Sequence, residues 1–288
     1  MNTSTQLKAL VRNLSKKSNV EAEILLRNFM LERFLERVAT SEYKHNFILK
    51  GGILIAAMVG IDSRTTMDMD ATIKGQALTA QNITCIIENI LGIPVNDGVE
   101  FSLRGIEEIR EEADYPGYRV SIGAVLDKTR QTLKVDITTG DFVTPREIEY
   151  SFKLMFEDRT ISIMAYNLET VLAEKFEAVV TRSVTNTRMR DFYDIYILTT
   201  TQPFDGDTFK AALNKTIEKR GTVEQMADTD GAIAIVSESP VMIELWQKYA
   251  KKYSYAADVT WEMAMDAVKV LASLAGGKDE PREAVCSR

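Results

Sequence analysis

The spacing of apolar residues changes twice along this chain, and the change restricts the folds that it can adopt. In residues 4–14, 19–38 and 78–91 apolar residues recur with the period of an amphipathic helix. Between residues 101 and 139 they alternate with polar residues, as in strands with one buried face. From Leu168 onward the helical period returns. The pattern predicts an α+β fold in which a small mixed sheet precedes a helical C-terminal half.

The segments with the strand period are short and are separated by polar turns, which predicts an antiparallel meander. Their sequences are FSLRGIEEI, YRVSIGAVL, QTLKVDITT and RTISIMAY, at residues 101–109, 118–126, 131–139 and 159–166. The later helices are predicted at residues 168–182, 188–199, 207–219, 222–228, 238–252 and 258–275. We therefore expect three parts: a core with N-terminal helices at residues 1–166, a helical subdomain at 167–277 and a flexible tail at 278–288.

Composition narrows the class of protein. With 288 residues, of which 45% are hydrophobic, the chain has ample material for a packed core. The two cysteines, Cys85 and Cys286, provide no disulfide framework, and no apolar run approaches the length of a membrane span. We therefore expect a cytoplasmic protein that makes no membrane contact. A net charge of −7 argues against a general nucleic-acid coat, which requires clustered cations.

The first fifty residues are nevertheless basic, with nine Lys and Arg against five Glu. One interpretation is an ordinary solvated helix surface. The other is a surface on the N-terminal helices that binds RNA or phosphate. The sequence leaves both open.

A pair of aspartates follows the apolar segment around residue 50. In MDMDATI, residues 67–73, strand geometry puts Asp68 and Asp70 on one face. Two carboxylates aimed the same way repel each other unless a cation lies between them. Mg²⁺ prefers such oxygen ligands and keeps positions open for phosphate oxygens. The pair predicts a metal site, and the alternative is a sheet whose polar face is merely solvated.

Two further features favour the metal site. Gly51 and Gly52 follow an apolar segment, and a turn without Cβ atoms lets backbone N–H groups approach a triphosphate. In LKVDITTGD, residues 133–141, Asp136 takes the polar face of a neighbouring strand. Three strand-borne acids beside a glycine turn suit two-metal phosphoryl transfer, in which Asp136 helps to activate an attacking hydroxyl.

The helix predicted at residues 168–182 carries a lysine within its apolar stripe. On a helical wheel Lys175 falls between Val171 and Leu168 on the packed face. A buried ammonium requires an anionic partner, a route to solvent or a shifted pKa. Lys175 is therefore either a snorkelling or salt-bridged lysine, or a ligand of nucleotide phosphates.

The segment RMRDFYDIYIL contains two aspartates on a predicted helix. Asp191 projects toward the packed face, whereas Asp194 is expected on the outer side near Arg190. Asp191 is either a partner that positions Lys175 or Arg182, or a residue that takes part in catalysis directly. The sequence does not separate these two roles.

The segments FILKGGILI, RTTMDMD, LKVDITTGD, YNLETVLAEKFEAVVTR and RMRDFYDIY resemble, in this order, the AbiEii-type nucleotidyltransferases. These enzymes are toxins of type IV toxin–antitoxin and phage abortive-infection systems and belong to the DNA polymerase β-like superfamily. The resemblance spans residues from about 45 to about 200. Gly52 stands where serine is common in the superfamily, which removes a hydroxyl contact to phosphate.

The resemblance implies a polymerase β-like core that transfers NMP from an NTP to an acceptor hydroxyl, with Mg²⁺ as the cofactor. It implies Asp68, Asp70 and Asp136 as catalytic metal ligands. The other residues that it implies are Gly51, Gly52, Arg64 and Lys175 for nucleotide binding and Lys175 and Asp191 for catalysis. The expected acceptor is the 3′ end of tRNA, so that modification blocks translation. The expected protein partner is a cognate antitoxin, a winged-helix regulator encoded nearby.

Two other functions stay open at the level of sequence. A small-molecule nucleotidyltransferase of the antibiotic-modifying kind would use the same metal-binding acids. A non-catalytic nucleotide-binding protein would keep the fold but would need no metal.

Overall fold

The computed structural model describes residues 3–110 and 116–276. The chain divides into two compact units, Met1–Asn167 and Leu168–Arg288. The boundary expected after residue 166 lies one residue before this division. The flexible tail predicted at 278–288 lies outside the described residues.

The first unit combines helices and strands, which confirms the α+β prediction. Its helices are α1 (Ser4–Ser18), α2 (Ala22–Thr40), α3 (Gly51–Val59) and α4 (Ala80–Leu91). Its strands are β1 (Phe47–Lys50), β2 (Met69–Ile73), β3 (Val99–Arg110), β4 (Pro116–Leu126), β5 (Thr129–Thr139), β6 (Ile148–Lys153) and β7 (Thr160–Ala165).

The strands form one seven-stranded mixed sheet in the order β3-β4-β5-β2-β1-β7-β6. Strands β3, β4 and β5 are antiparallel neighbours, which confirms the predicted meander for its first three segments. Its fourth segment, β7, is wrongly placed by the prediction, because it pairs with β1 and β6. Strand β2 joins the meander by pairing in parallel with β5, and β1 pairs antiparallel with β2. The sheet is larger than the small sheet that the sequence predicts, because β1 and β6, which no predicted segment covers, belong to it as well.

Helix α2 packs on β5 and β7 and is buried along most of its length. Its predicted apolar stripe is buried at Leu31, Phe34, Leu35 and Val38. Two of its arginines are buried as well, since Arg33 pairs with Glu157 at 2.6 Å and Arg37 pairs with Asp97 at 2.7 Å. These arginines hold the unit together and do not contribute to a basic surface. The basic surface of the N-terminal helices is therefore smaller than the count of Lys and Arg indicates. Its exposed cations on α1 are Lys8, Arg12, Lys16 and Lys17.

The second unit is helical, as the sequence predicts. Its helices are α5 (Leu168–Arg182), α6 (Met189–Thr201), α7 (Gly206–Arg220), α8 (Val223–Met226), α9 (Thr229–Glu238), α10 (Pro240–Lys252) and α11 (Trp261–Ala275). Trp246 and Tyr193 are buried in this unit, and the indole N–H of Trp246 donates to the carbonyl oxygen of Val259 at 2.9 Å. Within the described ranges, no helix combines the length and the apolar character needed to cross a bilayer.

Four helices and strands are absent from the sequence prediction: β1, α3, β6 and α9. Helix α3 has the sequence GGILIAAMV, which is apolar on all sides, so it shows no helical period and its glycines indicate a turn. Strand β6 lies at the edge of the sheet and is largely exposed, so its pattern is weak. Helix α3 and strand β6 are therefore stabilised more by tertiary packing than by their local sequence pattern.

Candidate active site

The candidate site lies in the first unit, where β1 ends and α3 begins. Gly51 has a φ of +66°, and a Cβ atom at this position would lie 2.1 Å from Oδ2 of Asp70. Gly51 is therefore required for both its backbone conformation and the space that it leaves. The carboxylate of Asp70 lies directly against the first turn of α3.

Gly52 is required for a different neighbour. A Cβ atom here would lie 2.6 Å from Oγ1 of Thr66 and 3.4 Å from Nη2 of Arg64. The hydroxyl of Thr66 thus fills the space that a serine side chain at position 52 would need. Arg64 is buried and donates to the carbonyl oxygen of Thr65, so it stabilises the segment that leads to the acids.

The acids are brought together by the pairing of β2 with β5. In this parallel register Asp70 is the direct neighbour of Asp136, on backbones about 4.8 Å apart. Direct neighbours on paired strands project from the same face of a sheet. Asp68 lies in a bend immediately before β2, which begins at Met69 and not at Met67 as predicted. All three predicted carboxylates therefore belong to β2, the bend before it, and β5.

Asp136 is engaged by an arginine that the sequence reasoning missed. Arg119 lies directly opposite on β4, and its Nε and Nη2 atoms donate to the two carboxylate oxygens at 2.7 and 2.6 Å. The hydrogen bonds to Asp136 raise the pKa of Arg119, and the charges of Asp136 and Asp68 act in the same direction. The available signal was a lone charged residue inside the apolar strand segment YRVSIGAVL.

A second cation missed by the sequence reasoning is Lys50, which lies opposite Asp70 on β1. Its ammonium donates to Oγ1 of Thr138 at 2.8 Å and to Oδ2 of Asp141 at 2.7 Å. It also lies 5.7 Å from the centre of the Tyr166 ring. The available signal was a lysine at the end of an apolar strand, immediately before the two glycines.

The donor set of the first unit suits a divalent cation by its chemistry. Asp68, Asp70 and Asp136 offer the carboxylate oxygens that Mg²⁺ prefers, and Asp70 reaches into the space that a side chain at position 51 would fill. Among the residues that the structure describes, however, no group of three or more His, Cys, Asp and Glu side chains is arranged to hold a metal ion. Both carboxylate oxygens of Asp136 are engaged by Arg119.

In the second unit Lys175 is salt-bridged, which is one of the two interpretations given by its sequence. Its ammonium lies 2.8 Å from Oδ1 of Asp191 and 2.7 Å from Oδ2 of Asp194. Burial alone would lower the pKa of Lys175, but the two carboxylates outweigh that effect and raise it to about 12. The ammonium therefore stays charged and joins α5 to α6.

The expected position of Asp194 is wrong. Its side chain is 0% exposed and binds Lys175, whereas the sequence predicts an outward position near Arg190. The reason is that Asp191 and Asp194 are three residues apart on α6 and thus share a face, which the lysine spans. The Oδ2 atom of Asp191 is buried and has no hydrogen-bond partner within the described part of the chain.

The chain matches a family model described as nucleotidyl transferase AbiEii toxin, type IV toxin–antitoxin system, over residues 33–267. No curated protein matches it. It is similar to two solved proteins of Helicobacter pylori, each with a TM-score of 0.47. One, solved as a candidate nucleotidyltransferase, has 18% identity, with 88% of this chain and 99% of that chain covered. The other, JHP933, has 16% identity, with 90% and 97% covered.

Proposed function

The chain belongs to the AbiEii family of nucleotidyltransferase toxins of type IV toxin–antitoxin systems, and from this premise we propose that it transfers NMP from an NTP to the 3′ end of tRNA. The family match confirms the resemblance that the sequence motifs predict, and with it the enzyme class. The acceptor, the metal and the roles of individual residues are parts of the proposal.

In the proposed reaction, the oxygen of the acceptor hydroxyl attacks the α-phosphorus of the NTP. The bond from that phosphorus to the oxygen bridging to the β-phosphate breaks, and pyrophosphate leaves with the electron pair. Asp68, Asp70 and Asp136 are the residues that would hold a divalent ion, which we propose to be Mg²⁺ and which supplies positive charge to the phosphates. The Asp136 carboxylate is proposed to take up the hydroxyl proton.

The triphosphate is proposed to bind at the start of α3. The first N–H groups of a helix have no partners within it, and Lys50 makes no side-chain cap at this end. Gly51 and Gly52 present bare backbone here, so phosphate oxygens can come close to the N–H groups. Arg64 stabilises the adjacent segment from a buried position and is proposed to act on the phosphates only through it.

The observation that carries the proposal is the register of β2 with β5, which sets Asp70 beside Asp136 next to the first turn of α3. Two adjacent carboxylates on one face are unfavourable in an ordinary sheet, because like charges directly opposite one another are destabilising. The binding of a divalent cation and a triphosphate at this site would account for the two adjacent carboxylates.

The proposed roles of Lys175 and Asp191 differ from those of the acids on the sheet. Two of the three N–H donors of Lys175 are engaged by carboxylates, so its first role is to join α5 and α6. Its predicted role as a phosphate ligand would use the third donor. Asp191 is proposed to position Lys175.

The proposed setting is the cytoplasm, where tRNA modification would block translation and so serve phage defence by abortive infection. The family implies an antitoxin partner. We propose that the partner is a winged-helix regulator encoded nearby and that its presence neutralises the growth arrest.

The test is label transfer by the purified full chain from each of the four α-labelled NTPs. Total tRNA is one acceptor and a panel of aminoglycosides is the other, with and without EDTA. We expect label on tRNA with a preferred NTP, no transfer in EDTA, and loss of both transfer and growth arrest in Asp68→Ala. Asp158→Ala, an exposed acid of the same unit, is the matched control and should behave as wild type.

Each other outcome has a definite meaning. Label on the aminoglycosides alone would replace the tRNA proposal by the small-molecule alternative. NTP binding without transfer, unchanged by EDTA, would support the non-catalytic alternative. A fully active Asp68→Ala protein would overturn the assignment of the site.

A further inference from the structure

Five charged residues form a continuous row across five strands of the sheet. In the observed registers Glu107 faces Arg119, Arg119 faces Asp136, Asp136 neighbours Asp70, and Asp70 faces Lys50. Since direct neighbours on paired strands share a face, the five side chains leave the sheet on the same side. The signs run negative, positive, negative, negative, positive, so the two adjacent like charges are flanked by cations.

The two flanking cations are used differently. The ammonium of Lys50 is directed to Thr138 and Asp141, at 2.8 and 2.7 Å. The guanidinium of Arg119 instead forms a fork on Asp136, with one N–H group on each carboxylate oxygen. Arg119 therefore pairs directly, through two hydrogen bonds, with a predicted metal ligand.

This pairing competes with a metal ion at Asp136. A guanidinium is always charged in proteins, so Arg119 cannot leave the carboxylate by losing its own proton. A divalent cation on the same two oxygens would face a like charge at close range, which opposes joint occupancy. The side chain of Arg119 is 35% exposed while that of Asp136 is 13% exposed, so the arginine has solvent into which it can move.

We propose that Arg119 is the internal counter-ion of the acid row, which occupies Asp136 until a divalent cation displaces it. Arg119 thereby sets the metal affinity of the site and keeps Asp136 and Asp70 compatible on neighbouring strands in the metal-free enzyme. Arg119 is a positioning residue in this scheme. The proposal rests on the proposed function in one respect, namely that Asp136 is a metal ligand.

The experiment is a Mn²⁺ titration of the metal-free full chain without nucleotide, followed by electron paramagnetic resonance of the unbound ion. In Arg119→Gln we expect the Kd to fall about tenfold, because a charge-assisted bidentate pair no longer competes. Arg119→Lys keeps the charge but loses the fork, so its Kd should fall by a smaller factor of about three. This second variant carries the test if Arg119→Gln does not fold.

Lys134→Gln is the matched control. Lys134 is exposed and lies two residues before Asp136, on the same strand and the same face. The substitution therefore removes one positive charge about 7 Å from Asp136 along the strand. Because an exposed charge is screened, its Kd should stay within about twofold of wild type. A second control is the Asp136→Asn background, in which Arg119→Gln should no longer alter the Kd.

Thermal unfolding gives an independent readout. Without metal, Arg119→Gln should have a lower Tm than wild type, because Asp136 loses its counter-ion beside Asp70. Saturating Mn²⁺ should raise the Tm of Arg119→Gln by more than that of wild type. A purely structural role for Arg119 predicts the first effect without the second.

The proposal is overturned if neither Arg119→Gln nor Arg119→Lys binds Mn²⁺ more tightly than Lys134→Gln. It is also overturned if the gain in affinity persists in Asp136→Asn. These failures are distinct from failure of the proposed function. If wild type transfers label but the Arg119 variants bind Mn²⁺ no more tightly, only the counter-ion role of Arg119 is contradicted. If the variants bind Mn²⁺ more tightly but no NTP supports transfer, only the proposed enzymatic function is contradicted.

Discussion

Each unit of this protein holds a cluster of carboxylates with a cation, and the two clusters are built in different ways. On the sheet of the first unit, Asp70 and Asp136 are neighbours, and the arginine that pairs with Asp136 is partly exposed. On the helices of the second unit, one ammonium lies between two carboxylates, of which Asp194 is wholly buried. Water reaches the cation of the first cluster, Arg119, but is excluded from Asp194 in the second.

The two clusters differ in which of their charges are available to a ligand. Charges near the surface lose little when a partner is exchanged, because water and ions compensate them. Buried charges must keep their partners, because an unpaired one is left without solvation. The sheet cluster is thus suited to take up a cation, while the helix cluster is suited to stabilise a helix pair.

The largest effect is expected for Asp70→Asn. Loss of a metal ligand should lower the rate of NMP transfer by about a thousandfold, since a bound metal supplies several kcal/mol. Stability should change little, because the change removes both a like charge beside Asp136 and an opposite charge facing Lys50. Kinetics of label transfer and urea unfolding measure the two effects. A clear loss of stability would show that Asp70 depends on its partners as the helix cluster does, and would contradict the proposed difference between the two clusters.

Lys175→Met should act in the opposite way, through stability. Removal of the ammonium leaves Asp191 and Asp194 uncompensated in a buried place, so the free energy of unfolding should fall by about 3–5 kcal/mol. The control is Lys215→Met, an exposed lysine paired with Glu218, where about 0.5 kcal/mol or less is expected. Urea unfolding of both variants decides the matter, and equal small losses would show that Lys175 is not structural.

Glu32 extends the comparison to a buried carboxyl whose neighbouring cation, Arg33, lies 3.8 Å away. Burial raises the pKa of Glu32 to about 8, although the backbone N–H of Met155 donates to both of its oxygens. The folded protein therefore keeps a proton that the unfolded chain releases. Its contribution to stability is complete below about pH 4.5 and is lost as the pH rises toward 8.

Glu32→Gln should remove this decline, which we expect to be of the order of a few kcal/mol between pH 5 and pH 8. Urea unfolding at several pH values measures it. Glu88→Gln, an exposed residue of α4, is the control and should leave the pH profile as in wild type. A Glu32→Gln profile that keeps the wild-type slope would contradict the assignment.

The smallest effect is expected for the backbone that supports the sheet cluster. Gly51→Ala introduces a Cβ atom 2.1 Å from the Asp70 carboxylate at a φ of +66°. Gly221→Ala has a nearly equal φ of +64° but meets nothing within 4 Å, so it measures the backbone penalty of about 1 kcal/mol alone. Gly51→Ala should exceed it by about 1–2 kcal/mol and should also reduce transfer. Equal losses would mean that Asp70 moves freely away from α3.

The sequence predicts the elements of the site better than their contacts. Strand periodicity places Asp70 and Asp136 on polar faces, because alternation is a local property that a single segment carries. That β2 and β5 are direct neighbours in parallel register depends on the whole sheet, and no local pattern specifies it. The fork of Arg119 on Asp136 depends on the same pairing, so it emerges only from the fold.

The second unit shows the same limit. The position of Lys175 within an apolar stripe follows from helical geometry, and it predicts that the ammonium needs a partner. Which carboxylates serve is set by the packing of α6 on α5, and there the expected outward position of Asp194 is wrong. Helix α3 was missed for a related reason, since two glycines indicate a turn unless a neighbouring strand makes them the start of a helix.

The most direct test of the metal role of the sheet acids is a ligand-exchange experiment at Asp70. Asp70→Cys replaces a hard oxygen donor by a soft thiolate, so NMP transfer should be lost with Mg²⁺ and should return in part with Cd²⁺. Wild type, which already has the exposed Cys85, provides the Cd²⁺ baseline. Restored transfer in Asp70→Cys alone is the predicted result. A folded Asp70→Cys protein that stays inactive with Cd²⁺, or that remains fully active with Mg²⁺, would contradict the account.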